Sequence, residues 1–274
     1  MKKKVLSACI ALALGAGAGY TTFVLAQAKP DVLVKQRQAV MTLQGKYFGQ
    51  LAAVAPGKAP YNAAAKFYSV YSGDTSVDHD LRIAHVAIDR RHTSMEDSGT
   101  WFPLPALRRA AAAGRIRLAA RFHGAPTNRS QQRTIEVDAP EILRRCVEDS
   151  ADAALLVPNC PVCHQTVSLV ARHLEANGIP TVIMGCARDI VERCGVARFL
   201  FSDFPLGNGA GRPHDRESQE TTLELALTLL EAAAEPRTVI QSQLRWSESA
   251  DWKLDSCNID RLSPGELAHR RAEF

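Results

Sequence analysis

ADAALLVPNCPVCHQT, residues 151–166, is the stretch that decides the fold. An apolar run from Ala153 to Val157 stops at Pro158 and delivers Cys160, Cys163 and His164 in a C-x-x-C-H spacing. A short apolar run bounded by a proline reads as a buried strand. The residues from Gln165 to Ala176 then read as a helix closed by Asn177-Gly178. The spacing itself has two chemical meanings: a redox dithiol at the mouth of an α/β sheet, or a covalent attachment site for c-type haem.

Downstream the same rhythm continues. Thr181 to Gly185 reads as a strand, Arg188 to Cys194 as a short helix and Arg198 to Phe201 as a strand. Glu217 to Ala234 is a long helix with Leu223, Ala226, Leu227 and Leu230 on one face. Strands separated by helices imply parallel pairing, because parallel neighbours need a crossover. The expected fold is therefore α/β, an open, mostly parallel sheet of the flavodoxin or Rossmann-like kind with flanking helices. Upstream, residues 67–91 carry strand and turn chemistry, Pro105 to about Ala113 a helix ended by Gly114, residues 115–122 an alternating strand, and Pro140 the start of another helix.

With 274 residues, 46% hydrophobic, 23% charged and a net charge of +4, the chain is an ordinary globular protein of one large domain or two small ones. That balance argues against a disordered or nucleic-acid-coating chain. The pairs Arg90-Arg91, Arg108-Arg109 and Arg144-Arg145 are spaced like solvated helix faces. At the amino terminus, Lys2-Lys3-Lys4 and VLSACIALALGAGAG form the pattern of a secretory leader cleaved near Ala26 or Ala28. Its apolar run falls short of the ~20 residues of a spanning helix, so no stable membrane span is expected after leader removal. One amphipathic helix follows over residues 30–52. The expected organisation is a signal peptide at 1–28, a helical segment at 29–65, the α/β domain at 66–246 and a polar tail at 247–274. Such a protein is periplasmic if the leader is functional and cytoplasmic if the N-terminal segment is an artefact.

In an open parallel sheet, ligands sit beyond the carboxyl ends of the strands. Three successive strands end in VPNCPVCH, MGCARD and SDFPLGNGAGRPHD, so these loops should face one crevice. Cys163 falls near the first turn of a helix, where free N–H groups and the helix dipole favour a thiolate, so at least one sulfur of the pair should be unusually acidic. His164 and Gln165 are candidate proton carriers or orienting groups. Cys186 is a candidate third thiol, and with the pair and His164 it would also make a Cys₃His zinc set, although structural zinc sites normally use two knuckles. The glycine-rich loop invites an anion at the following helix, with Asp203, Gly207 and Asn208 as its candidate binding residues. Cys146, Cys194 and Cys257 read as small apolar fillers or stray surface thiols.

The block LLVPNCPVCHQTVSLVARHLEANGIPTVIMGCARDIVERCGVARFLFSDFPLGNGAGRPHD resembles the selenoprotein B component of the glycine, sarcosine, betaine and D-proline reductase family. The likeness covers roughly Phe67 to Glu235, and CHQT, GIPTV and DFPLGN occur together and in order. It implies a thiol-dependent oxidoreductase subunit, needing no cofactor of its own, in which Cys160 stands where the family often has selenocysteine. Cys160 would be the nucleophile on the α-carbon of an amino-acid-derived substrate, Cys163 the resolving thiol and His164 a local acid, base or orienting group. Gln165 and Thr166 of the CHQT motif would join Asp203, Gly207 and Asn208 around the substrate. The resemblance also implies partners: a pyruvoyl-type or other reductase subunit and a thioredoxin-like electron donor. Separately, the leader and QRQAVMTLQGKYFGQLAAVAPGKAPYNAAA resemble the start of cytochrome c′. That keeps a second expectation open, an electron-transfer protein with haem c on Cys160, Cys163 and His164.

Overall fold

In the computed structural model, the residues described are 69–255, apart from 80, 82–87, 90–91, 95 and 127–129, together with 263–265. The expected leader and first helix, and Arg90-Arg91 and Cys257, lie outside them. Among the described residues no helix is long and apolar enough to cross a membrane.

The architecture is α/β. Four strands, β3 (Ala154–Leu156), β4 (Thr181–Gly185), β5 (Arg198–Phe201) and β6 (Thr238–Gln241), form a parallel sheet in the order β3-β4-β5-β6. A separate antiparallel pair joins β1 (Tyr71–Asp74) to β2 (Arg121–Gly124). The helices are α1 (Leu104–Ala112), α2 (Ala139–Glu148), α3 (Pro161–Ala176), α4 (Arg188–Cys194), α5 (Arg216–Ala232) and the short α6 (Trp252–Asp255). A wider π turn over Thr134–Asp138 leads directly into α2.

The central strands are buried on both faces, and alternate residues divide between them. Val182, Met184 and Leu200 pack against Ala226 and Leu229 of α5. Ile183 and Phe199 pack on the other face against Ala171 of α3 and Val191 of α4. Strand order is sequential, yet α5 lies on the face opposite α3 and α4, so the crossover from β5 to β6 has the opposite hand to the two before it. Right-handed crossovers are strongly preferred. The consequence for function is geometric: after β5 the chain has to arch over the carboxyl edge of the sheet before descending as α5.

Several sequence expectations change. The strand expected over 115–122 is instead Arg121–Gly124, because its ladder partner is Tyr71–Asp74 and that pairing sets the register. The helix expected from Gln165 begins at Pro161, which fits the first helical position because it has no N–H to leave unpaired. Thr238–Gln241 adds a strand the sequence did not announce. The strand order has no reversal, so this sheet shares the layered architecture of Rossmann-like folds without their switch point.

The paired arginines are held by acids, on neighbouring segments for the first pair and on their own helix for the second. Arg108 meets Asp78, Arg109 meets Glu220, and Arg144 and Arg145 share Glu141. Exposed pairs of this kind contribute little, so the sheet core carries the stability. Phe199→Ala, at a fully buried ring, is expected to cost about 3–5 kcal/mol in urea unfolding. Ile135→Ala, at a residue 50% exposed, should stay within about 0.5 kcal/mol. Equal costs at the two positions would contradict this placement of the core.

Candidate functional site

Cys160 is the N-cap of α3, extended at φ −113° and ψ 170°, and its sulfur accepts the N–H of Cys163 at 3.2 Å. The two sulfurs lie 2.7 Å apart. They are not equivalent. Cys160 is fully buried in a cluster with Ile88 and Trp101, whereas Cys163 is half-buried at the edge of the same cluster. The acidity expected of at least one sulfur of the pair is not found at Cys160. Its hydrogen bond to Cys163 and its burial push its pKa well above the usual thiol range, against the smaller pull of the N–H groups of Cys163 and Val162. Cys160 therefore keeps its proton, with its sulfur in contact with that of Cys163.

His164 has no exposed surface. Its Nδ1 meets the Cys160 carbonyl oxygen at 2.8 Å, and its Nε2 meets the N–H groups of Cys186 and Ala187 at 3.0 and 3.1 Å. These partners fix the tautomer: Nδ1–H donates and Nε2 accepts. Burial lowers the pKa to about 4, which keeps the ring neutral. The imidazole thus ties the loop after β3 to the loop after β4, an orienting role; the proton-carrier role is not what this geometry provides. Gly185 is required beside it, since a methyl group there would lie 2.8 Å from Nε2.

The third loop closes over the same point. The N–H of Ser202 meets the carbonyl of Gly185 at 3.0 Å, and a methyl group on Gly209 would lie 3.2 Å from the Gly185 Cα. Pro158 also borders Gly185. Asn208 is fully buried, with Nδ2 donating to Thr93 Oγ1 at 3.0 Å and to the Pro205 carbonyl at 3.1 Å. Gly207 takes φ +103°, where a side chain would be strained and would strike Thr93. Cys186 is half-buried, and burial raises its pKa to about 12 despite the N–H groups of Asn208 and Phe204 directed at it.

Of the remaining expected residues, Gln165 is half-buried and Thr166 is buried, one turn into α3. Asp203 is held from outside by Lys253 at 2.5 Å, where Trp246 packs on Phe204 and Trp252 on Trp246. Cys146 lies in the core and Cys194 is half-buried. Among the described residues, no group of three or more His, Cys, Asp or Glu side chains is arranged to hold a metal ion. Covalent haem does not fit either: Cys160 is sealed beneath Trp101, and both nitrogens of His164 are already bonded to backbone.

Sequence reasoning missed the residues that build the far wall. Asp97 accepts the N–H of His214 at 2.6 Å and Nε2 of Gln219 at 2.8 Å, while the Thr100 carbonyl accepts the N–H of Ala210 at 2.8 Å. These bonds hold Trp101 against Cys160. Asp97 followed by Ser98-Gly99 was a readable turn signal; its partners more than a hundred residues away were not.

The chain is similar to the D-proline reductase subunit gamma of Acetoanaerobium sticklandii, 32% identical over 165 residues. The match takes in 58% of this chain and 66% of that protein. The match supports a distant relation to that reductase subunit, of which the chain spans a little under two thirds. No family model matches the chain, and no solved structure matches it.

The His164 bridge has a measurable pH signature. A folded-state pKa near 4, against 6.5 unfolded, means the unfolded chain binds the extra proton first as pH falls. Stability from this group is complete above about pH 6.5 and lost progressively down to about pH 4, roughly 3 kcal/mol in all. His123, also lowered in pKa by burial, adds to the wild-type slope, so the difference from His164→Gln is the relevant quantity. The variant should show a shallower loss of urea stability between pH 7 and pH 4; an unchanged slope would contradict the buried neutral ring.

Proposed function

We propose that this chain is a subunit of a multi-subunit reductase related to D-proline reductase. In this reading the Cys160–Cys163 dithiol supplies two electrons to an α-amino acid of the D-proline class. The observation that carries it is the sulfur pair, 2.7 Å apart at a helix N-terminus and a strand end. The reductase relationship of the same chain supports it.

The electron balance is simple. One sulfur attacks the α-carbon; the carbon–nitrogen bond breaks, and nitrogen leaves with the electron pair and takes a proton. The second sulfur then attacks the first; carbon leaves with the sulfur–carbon electrons, takes a proton, and a disulfide remains. A thioredoxin-like dithiol donor returns it to the reduced state. Activation of the amine falls to a partner subunit of the pyruvoyl type. The resemblance gives the attacking role to Cys160, in the place of selenocysteine. The order of burial supports the reverse order: Cys163, the more exposed sulfur, attacks, and Cys160 behind it is the protonated, resolving sulfur. Attack by Cys160 would require Trp101 to move away first.

The test is D-proline-dependent oxidation of a dithiol by the protein purified with its co-eluting subunits. Cys160→Ser and Cys163→Ser should each lower the rate by at least about 100-fold, since two-electron transfer needs both sulfurs. Limiting iodoacetamide should label Cys163 before Cys160. Rates unchanged in either variant would overturn the dithiol reading, and first labelling of Cys160 would restore it as the attacking sulfur.

A further inference from the structure

We propose that Ser72, His123 and Asp149 form a second reactive centre, distinct in its residues from the dithiol, in which Ser72 attacks the carbonyl carbon of a small carboxylic ester. The three residues come from different elements. Ser72 lies on β1 and His123 on β2, and the ladder places them directly opposite each other. Asp149 is the residue that ends α2. Side chains alternate along a strand, so Ser72 and His123 share the face toward α2, while Tyr71 and Phe122 project from the other, where their rings meet edge to face.

Ser72 Oγ lies 2.7 Å from Nδ1 of His123, and Nε2 of the same ring lies 3.1 Å from Asp149 Oδ2. Nη1 of Arg145 donates to Ser72 Oγ at 2.7 Å. The proton directions follow from what each group can do. A guanidinium only donates, and an ionised carboxylate only accepts. The Ser72 hydroxyl therefore turns its hydrogen to Nδ1, and the ring carries its own hydrogen on Nε2, toward Asp149. That is the order in which a neutral imidazole takes a proton from a nucleophile while a carboxylate holds the ring.

The carboxylate is fixed by Arg121, whose Nε and Nη2 donate to Oδ1 at 2.9 and 2.6 Å. Those bonds hold the Asp149 pKa below the usual carboxylate range, so it is ionised at neutral pH. Oδ2 is buried and accepts no aligned hydrogen bond, which leaves it to the ring 3.1 Å away; contacts of this kind in a resting site tighten as the reaction proceeds. Burial lowers the His123 pKa, against the opposing pull of Asp149, so the ring is a neutral base at pH 7. Ser72 is half-buried, which favours a short acyl group. Ser94 offers an internal contrast. It faces Nε2 of His214 at 3.2 Å, but the nearby carboxylate, Asp97, is taken by the His214 backbone N–H.

The step is a hydrolysis with no change of oxidation state. Ser72 Oγ bonds to the carbonyl carbon and its proton passes to Nδ1. The carbon–oxygen bond to the alcohol breaks, and the alcohol leaves with the electron pair and that proton. Water then attacks the acyl-serine, gives a proton to Nδ1, and the carboxylic acid departs as Ser72 Oγ takes the proton back.

The test uses the full chain with its thiols first blocked by iodoacetamide, then treated with a fluorophosphonate, whose phosphorus an activated serine attacks with loss of fluoride. Peptide mass mapping should find stoichiometric labelling at Ser72 and none at Ser94. His123→Gln should slow labelling at least about 100-fold, and hydrolysis of p-nitrophenyl acetate should be lost in Ser72→Ala. The charged groups facing His123 are Asp149, Arg121 and Arg145. Because the Asp149 carboxylate raises the ring's pKa, the inflection of labelling rate against pH should move to lower pH in Asp149→Asn, a change that a merely structural clamp would not produce. No labelling of Ser72 in the wild-type chain, labelling that survives His123→Gln, equal labelling of Ser94, ester hydrolysis retained in Ser72→Ala, or an unmoved inflection in Asp149→Asn would overturn the inference. With the thiols blocked, each of these outcomes leaves the dithiol reading as it stands.

Discussion

The imidazole of His164 is the interaction on which the rest of the site depends. It joins the carbonyl that closes one strand-end loop to two N–H groups that open the next, using both ring nitrogens. Neutral imidazole is well suited to this task, since it offers one donor and one acceptor on a rigid ring. Burial removes the charged form. The same ring explains why β4 ends in glycine and why Cys160, one turn before it, is drawn inward.

The second constraint is topological. The descending helix α5 lies on the opposite face from α3 and α4, so the chain after β5 must cross the top of the sheet. This crossing covers the carboxyl end of β4, and the bonds from Asp97 and Thr100 fasten the segment bearing Trp101 beside it. The dithiol is thereby graded in exposure, with one sulfur sealed and one at the rim. A pair arranged in depth suits sequential chemistry: the outer sulfur meets a reactant, and the inner one is already within bonding reach when the first bond forms. The cavity of about 170 Å³ beside Val191, Gly195, Phe199 and Arg237 lies at the other end of the strands and takes no part.

Much of the parallel sheet was legible because its signals are local. Thr181–Gly185, Arg188–Cys194 and Arg198–Phe201 follow from apolar runs punctuated by glycine and proline. The hairpin partner of Arg121–Gly124 was not legible, since alternation fixes which faces are apolar and leaves the register to a segment some fifty residues earlier. Thr238–Gln241 is too short, and too near Pro236, to announce itself. At the site, the sulfurs and the convergence of three loops were readable from spacing. Their order of burial was not, because it depends on Trp101 arriving from a distant turn. His164 read as an acid, a base or an orienting group from its letter; its backbone partners favour the last.

The central claim is that Cys160 and Cys163 form one reversible two-electron couple. Equilibration of the purified chain across a series of dithiol and disulfide buffers, followed by acid trapping and peptide mass mapping, measures this directly. The account predicts a single two-electron transition in which a Cys160–Cys163 disulfide replaces two free thiols, with Cys186 still reduced at the midpoint. Independent one-by-one modification of the two sulfurs, a disulfide linking either of them to Cys186 instead, or a peptide carrying thioether-bound haem would contradict it.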